Sequence, residues 1–331
     1  MRITRDALIR IAKETAQKRA YAEPGLVAAY LTGSLRTENP FLGNSTDIDL
    51  VLVHAEEPKA RREIVAVSPE VHLDIHHNLR SEYDKPKELR VHPWLGPELY
   101  DPQPLYVTQH FFEFVQAGVR DKFHEPVSVL ARARRVAGNA RQTWNDLQTS
   151  QASGPELVLA YLTCIHLAAN AVALLTDYPL PERRFLLQFP ARAGAVGQPG
   201  LAQQLLSLLG ADRVSAGALA GFLPDWEKSF LEAANNPIVE KRIAAPRLGY
   251  YKLAFESLLS SETPQAVVWP LMLTWTIAVC ILPPMWKVRW RSACELLGLD
   301  GGPFDEKVAS LDHFIDAIDD LLEKTASSQG L

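Results

Sequence analysis

The chain has 331 residues, of which 47% are apolar and 22% are charged, and its formal net charge is −5. This length suggests roughly two domains, and the apolar fraction is ordinary for a globular protein with real cores. The acidic balance disfavours a protein that binds DNA or RNA by neutralising many phosphates, because such proteins carry a basic surface.

The cysteines and the apolar stretches indicate in which compartment of the cell the protein is expected. The three cysteines, Cys164, Cys280 and Cys294, are far apart and odd in number, which argues against a disulfide framework or a zinc site. The first residues lack the continuous apolar core of a signal peptide. Residues 266–282 are almost wholly apolar, but they are few for a membrane span. We therefore expect a cytoplasmic protein without a membrane anchor, in which this stretch is a buried helix.

The first third of the chain alternates between helix and strand patterns. Apolar residues at helical spacing predict an amphipathic helix over residues 4–20. The stretch 35–46 is rich in turn-forming residues and predicts a loop. Another strand is expected to end near residues 99–102, with a helix following over 108–117. Strands are also predicted where aliphatic residues run together or alternate with polar ones, at residues 26–31, 47–54 and 71–77.

From about residue 127 onward the pattern is helical, and no strand of comparable quality follows Asp101. The chain is therefore expected to consist of an α/β domain over residues 1–124 and an all-α C-terminal domain over residues 125–331. Eight helices are predicted in the second domain, at residues 127–148, 155–176, 200–210, 215–235, 246–260, 265–282, 284–297 and 303–324.

Two of the predicted strands carry acidic residues on one face. Residues two apart in a strand point to the same side, so Asp47 and Asp49 project together while Ile48 projects into the core. Asp74 stands between two aliphatic residues on the later strand. If these strands are neighbours, three carboxylates converge, and a hard divalent cation such as Mg²⁺ relieves their repulsion.

The turn before the first acidic strand has the composition of a phosphate-binding loop. Gly33 lets the backbone approach a phosphate closely, and Ser34 adds a hydroxyl beside the backbone N–H groups. Arg36, two residues on, is placed to donate charge-assisted hydrogen bonds to the same phosphates. Together with Thr46, these are the candidate nucleotide-binding residues.

The combined pattern resembles the DNA polymerase β superfamily of nucleotidyltransferases. That family has Gly-Ser, then some ten residues, then Asp-hydrophobic-Asp, and a third Asp on a later strand. The resemblance covers roughly residues 26–101, under a third of the chain. The matching positions are Gly33, Ser34, Asp47, Asp49 and Asp74.

The resemblance implies an N-terminal nucleotidyltransferase head with a mixed sheet and two Mg²⁺ ions. It also implies transfer of a nucleoside monophosphate from a nucleoside triphosphate, with ATP favoured, and release of pyrophosphate. By that resemblance Asp47 and Asp49 bind both metals, and Asp74 binds the catalytic metal and helps to deprotonate the acceptor. A helical domain behind the head is similar to the arrangement in aminoglycoside nucleotidyltransferases.

Other polar residues are weaker candidates for the cleft. His72 and His76 flank Asp74 on its own face. They are interpreted as residues lining an open cleft, because zinc needs three or four tetrahedral ligands. His76 is a candidate substrate contact. In the helical part, Arg183 and Lys252 are candidate triphosphate contacts, although an ordinary solvated position explains each equally well.

The acceptor remains open between alternatives. A small hydroxyl-bearing molecule such as an aminoglycoside is favoured, because an acidic cleft attracts a polycation and the chain lacks a basic stripe for nucleic acid. A second hypothesis is an antitoxin-like enzyme that nucleotidylates a partner protein, although such antitoxins are little more than the head alone. A third is a non-catalytic nucleotide-binding module. The sequence also leaves open whether the cleft forms within one chain or in a homodimer.

Overall fold

The computed structural model describes residues 3–108 and 110–331. The chain divides into two compact units. The first contains Met1–His124 together with Pro246–Ala254, and the second contains Glu125–Ala245 and Phe255–Leu331. A mixed sheet in the N-terminal part and a mostly helical remainder confirm the predicted fold class.

The first unit is built on a five-stranded sheet with the strand order β3-β4-β2-β1-β5. Strands β2 and β4 are parallel, and the other neighbouring pairs are antiparallel. The two strands that carry the acidic residues are therefore direct neighbours. The strands are β1 Leu26–Thr32, β2 Thr46–His54, β3 Arg62–Ser68, β4 Val71–Leu79 and β5 Gln103–Val107.

Helices cover both faces of this sheet. Thr4 begins α1, because its side chain accepts a hydrogen bond from the backbone N–H of Ala7 at 3.3 Å. The apolar face of α1 packs against the alternate residues Ile48 and Leu50 of β2. On the other face, Val51 packs in a cluster that includes α4. The helices are α1 Arg5–Ala22, α2 Pro86–Arg90, α3 Leu95–Tyr100 and α4 Phe111–Arg120.

Two expectations for this unit were wrong. Residues 95–100 form helix α3 instead of the end of a strand, and β5 begins only at Gln103, after Asp101. Pro102 marks the boundary, because the residue before a proline is disfavoured in the helical conformation, so α3 ends at Tyr100 and extended backbone follows. Strand β3 was not predicted either. It lies at the sheet edge, where its half-exposed side chains have no clean alternation.

The second unit is helical throughout the part that the structure describes. The predicted helix over 215–235 is divided in two, because Gly221 and Pro224 interrupt it and proline favours a new first turn. Helix α7 was not predicted. The helices are α5 Pro126–Thr149, α6 Pro155–Ala173, α7 Phe185–Ala195, α8 Gly200–Leu208, α9 Ala216–Ala220, α10 Leu223–Ala234, α11 Leu248–Leu259, α12 Val268–Cys280, α13 Lys287–Leu297 and α14 Gly302–Ser328. The first residues of α11, up to Ala254, belong to the first unit.

The apolar stretch near the C-terminus forms α12, which is almost entirely buried. Trp275 is fully buried there, and its ring N–H donates to the Ser229 hydroxyl at 3.1 Å, so the indole is satisfied without water. Within the described residues, one helix, α6, is long and apolar enough to cross a membrane. Its apolar window is 61% buried inside the protein, which is equally typical of a core helix.

A pair of histidines lies near the carboxyl ends of β2 and β4. His54 Nε2 is 2.9 Å from His77 Nδ1, and His77 Nε2 is 2.9 Å from a carboxylate oxygen of Glu63. Arg19 donates to Glu63 and to Glu23 and so completes the network. Burial lowers the pKa of both histidines, and the charge of His77 lowers that of His54 further. The pair is therefore neutral at pH 7.

This network makes stability depend on pH. Because the pKa of each histidine is lower in the folded chain, unfolding takes up protons below the ordinary histidine pKa of about 6.5. The stabilisation is complete above that pH and is lost as the pH falls from there through the lower pKa values of the folded chain. We expect a lower urea midpoint at pH 5.5 than at pH 7.5, followed by circular dichroism. His77→Gln should reduce the loss, whereas the exposed His110→Gln should not. Equal midpoints at both pH values would contradict this account.

Candidate metal and nucleotide site

The acidic residues of β2 and β4 meet on one face of the sheet. Asp47 lies opposite His72 in the strand register, and Asp49 lies opposite Asp74. One ligand atom each from Asp47, His72 and Asp74 lie within 4.8 Å of one another, and all three residues are buried. This group is therefore suitably arranged to hold a metal ion.

Gly33 fixes the position of Asp49. It follows β1 with a φ of +69°, and an added Cβ would lie 1.8 Å from Asp49 Oδ2. Only glycine adopts that conformation readily and leaves the carboxylate its space. The next residue, Ser34, has its hydroxyl 3.0 Å from that of Thr46 at the start of β2. The Gly-Ser turn thus packs directly on the first residues of the acidic strand.

The carboxylates are crowded enough to disturb their ionisation. Burial raises the pKa of Asp49 well above its ordinary value, and the negative charges of Asp47 and then Asp74 raise it further. The charges of Arg247 and Arg62 oppose that rise without cancelling it. A cation beside Asp49 would stabilise its ionised form.

Asp74 has a different environment, because two arginines bind it. Arg62 donates through Nε to Oδ1 at 2.8 Å and through Nη2 to Oδ2 at 2.6 Å. Arg247 donates to Oδ2 at 2.8 Å, and His76 Nε2 is 3.4 Å from Oδ1. Burial alone would raise the pKa of Asp74, but the hydrogen bonds from Arg62 and His76 and the charge of Arg247 hold it well below its usual range. This carboxylate is therefore ionised at neutral pH.

Arg247 reaches the site because the segment Pro246–Ala254 packs within the first unit. Gly249 allows a close approach, since a Cβ there would lie 1.9 Å from the carbonyl oxygen of Pro69 in the β3–β4 turn. The Ser45 hydroxyl donates to the carbonyl of Tyr250 at 3.1 Å. The guanidinium carbon of Arg247 lies 5.2 Å from the ring centroid of Tyr250, within cation–π range. The segment is thus anchored at the residues that directly follow Arg247.

The remaining candidates lie in varied surroundings. Arg36 donates to the side chain and carbonyl of Asp101, at 3.0 and 3.3 Å. Thr46 is buried beneath the Gly-Ser turn, and His76 is nearly half exposed beside Asp74. Lys252 belongs to the first unit and is half-buried, whereas Arg183 is buried in the second unit.

Sequence reasoning misjudged or missed three residues at this site. His72 was expected to line an open cleft, but it is fully buried, with its ring packed edge-on against Tyr250. Arg62 was missed because its strand, β3, was not recognised. Arg247 was missed because it is 173 positions from Asp74, and nothing in its local pattern signals a return to the sheet.

The donor set fits a divalent cation in part. Carboxylate oxygens of Asp47 and Asp49 are suitable for Mg²⁺, and the imidazole of His72 also suits transition metals such as Mn²⁺. Asp74 is the constrained member, because each of its oxygens already accepts a hydrogen bond from a guanidinium. A cation that used Asp74 would have to share it with Arg62 and Arg247.

Comparison with known proteins finds similarity to solved structures at low sequence identity. The chain matches no known protein family and no curated protein sequence. Among solved structures, a nucleotidyltransferase-like protein from Exiguobacterium sibiricum 255-15 is similar over 93% of this chain and 90% of that one. The sequence identity is 12% and the TM-score is 0.31. A similarity this low carries no information on substrate or mechanism.

The contact between Gly33 and Asp49 gives a testable expectation. Gly33→Ala places a methyl group against the carboxylate at a positive φ, which should cost roughly 1–2 kcal/mol for the backbone and more for the overlap. We expect a lower melting temperature and weaker binding of Mn²⁺. Gly25→Ala is the control, because no atom lies within 4 Å of its added Cβ. A Gly33→Ala protein as stable as Gly25→Ala would refute the packing role.

Proposed function

We propose that this protein transfers a nucleoside monophosphate from a nucleoside triphosphate, with ATP favoured, to a hydroxyl of a small acceptor and releases pyrophosphate. The observation that carries the proposal is the packing of the Gly33 turn against Asp49, with Asp47 beside it and Asp74 opposite in register. This arrangement supports the assignment of the Gly-Ser, Asp-x-Asp and third-Asp pattern to one site.

In this proposal Asp47, Asp49 and Asp74 hold two Mg²⁺ ions. When bound, those ions neutralise charge on the phosphoryl group and the leaving pyrophosphate. The crowding that raises the pKa of Asp49 supports the assignment, since proteins accept such repulsion mainly where it serves function. Ser34 and the backbone N–H groups of its turn bind the β and γ phosphates. Arg36 would have to leave Asp101 to reach them.

The proton of the acceptor hydroxyl needs a base, and the sequence resemblance assigned that part to Asp74. The two arginine partners of Asp74 stabilise its ionised form so strongly that it is a weak proton acceptor. The proposal therefore gives Asp74 the role of a fixed negative charge. A polycationic acceptor such as an aminoglycoside is favoured by the acidic balance of the whole chain, whose formal net charge is −5.

A non-catalytic nucleotide-binding module is the second candidate function. The specific observation in its favour is the pairing of Asp74 with Arg62 and Arg247, which leaves this carboxylate less available to a cation. Incubation with labelled nucleoside triphosphates, Mg²⁺ and a panel of aminoglycosides distinguishes the transferase from the non-catalytic module. Pyrophosphate release that depends on an acceptor supports the transferase. Tight nucleotide binding without transfer to any acceptor, whether a small molecule or a protein, supports the non-catalytic module.

Asp49→Asn should abolish metal-dependent transfer, because the variant loses a charged metal ligand. It should also unfold at the same temperature as the wild type or a higher one, since a neutral amide removes the repulsion that raises the pKa of Asp49. Activity and thermal unfolding are measured on the same preparation. Asp84→Asn, at an exposed site paired with Arg80, is the matched control. Wild-type transfer rates in Asp49→Asn would end the assignment.

Ser34→Ala should mainly weaken triphosphate binding. Loss of one hydrogen bond to a charged phosphate corresponds to roughly 1.5–3 kcal/mol, or about tenfold or more in affinity. We expect a higher KM for the nucleotide with a smaller change in kcat. The exposed Ser81→Ala serves as the control. An unchanged nucleotide affinity in Ser34→Ala would exclude a phosphate contact by this hydroxyl.

A further inference from the structure

Arg62 and Arg247 are two guanidinium groups that converge on one carboxylate. Arg62 presents its Nε and Nη2 groups to both oxygens of Asp74, and Arg247 adds a third hydrogen bond to Oδ2. This forked geometry is the one that recognises carboxylates and phosphates. Because a carboxylate and a phosphate offer similar pairs of oxygens, the arginines are equipped to bind either.

Arg247 is held in place by contacts other than Asp74. Arg247 lies within cation–π distance of both Tyr250 and Tyr251, at 5.2 and 5.4 Å from the ring centroids. Its segment is anchored to the sheet through Gly249 and Ser45. A guanidinium fixed in this way pays little ordering entropy when an anion binds.

An anion has access from the side of β3. The side chain of Arg62 is 25% exposed and that of His76 is 45% exposed, whereas Asp74 and Arg247 are almost fully buried. Asp74, which both arginines bind, lies opposite Asp49 in the strand register, and Asp49 lies against the Gly-Ser turn. The arginine pair therefore adjoins the position proposed for the phosphates.

We propose that Arg62 and Arg247 form a binding site for the phosphate groups of a polyphosphate anion, in competition with the carboxylate of Asp74. This inference rests on the proposed function, because it names further residues that take the triphosphate at the same site. An incoming phosphate group accepts the hydrogen bonds that Asp74 accepts, and Asp74 then has oxygens available for a cation. Polyphosphate and cation binding thus support each other through one carboxylate.

Competition between Asp74 and phosphate predicts opposite changes in tripolyphosphate affinity when Asp74 is replaced and when one of its arginine partners is replaced. Asp74→Asn removes the competing charge, so inorganic tripolyphosphate should bind roughly tenfold more tightly. Arg247→Met or Arg62→Met removes a charge-assisted hydrogen bond, so tripolyphosphate should bind roughly tenfold more weakly. A purely structural role for these residues predicts weaker binding in all three variants.

The experiment is calorimetric titration of the full chain with tripolyphosphate in the presence of EDTA. Two controls change the same charges elsewhere in the first unit. Arg61→Met removes a half-exposed arginine paired with Glu57 and Glu82, and Asp121→Asn removes a carboxylate paired with Arg90. Both should bind within about twofold of the wild type. Circular dichroism and thermal unfolding establish that each variant is folded, and if Arg247→Met is not, the more exposed Arg62→Met decides.

Tighter binding in Asp74→Asn combined with weaker binding in the arginine variant supports the proposal. Equal affinities in all proteins, including no measurable binding in any of them, overturn it, and so does weaker binding in Asp74→Asn. The titration contains neither divalent cation nor acceptor. A chain that transfers no nucleotide can therefore still pass this test, and an active transferase can fail it.

Discussion

Asp74 lies almost fully buried between two guanidinium groups, and a carboxylate at that depth is tolerated only with charged, hydrogen-bonded partners. One partner, Arg62, comes from the neighbouring strand β3. The other, Arg247, comes from a segment 173 positions away that rejoins the first unit. Because removal of either arginine would leave a buried charge short of a partner, the N-terminal sheet and this distant segment form one electrostatic unit. The acidic motif by itself is therefore an incomplete description of the site.

The opposite problem occurs at Asp49, where negative charge is in excess. The pKa of Asp49 is raised by burial and by the charges of Asp47 and Asp74. Gly33 packs against the carboxylate of Asp49 and leaves no room for a side chain at position 33. Such an arrangement lowers stability, since the repulsion of buried carboxylates opposes folding. A packed apolar pair would be more stable at these positions. The presence of mutually repelling carboxylates in this sheet is therefore a physical argument for a cation or a substrate at this face.

The parts of the fold that could be predicted are those governed by period-two alternation. Asp47 and Asp49 alternate with Ile48 and Leu50, so both the strand and its two faces could be predicted. Strand β3 was missed because an edge strand is half exposed and has no single apolar face. Arg62 was lost with it. The burial of His72 was not predicted, because alternation shows on which face of the strand a residue lies but not what packs against that face. The residue that packs there, Tyr250, comes from far along the chain. Long-range packing of this kind leaves no periodic signal.

Strands β2 and β4 carry two polar clusters, and the contrast between them indicates their different roles. At the carboxyl ends of these strands, His54 and His77 bond each other, and Glu63, Glu23 and Arg19 complete the network. Burial keeps both histidines neutral, and the two carboxylates that share Arg19 are each 32% exposed, so water stabilises their charge. Near the start of the same strands three carboxylates face two guanidiniums, and the excess lies on the side of Asp49, next to a glycine turn with backbone N–H groups. The histidine cluster supplies its own hydrogen-bond partners and so stabilises the sheet. The acidic cluster combines unbalanced carboxylates with hydrogen-bond donors suited to phosphate, and only a cation and an anion together would pair with both. The polyphosphate proposed above, together with a divalent cation, would supply both.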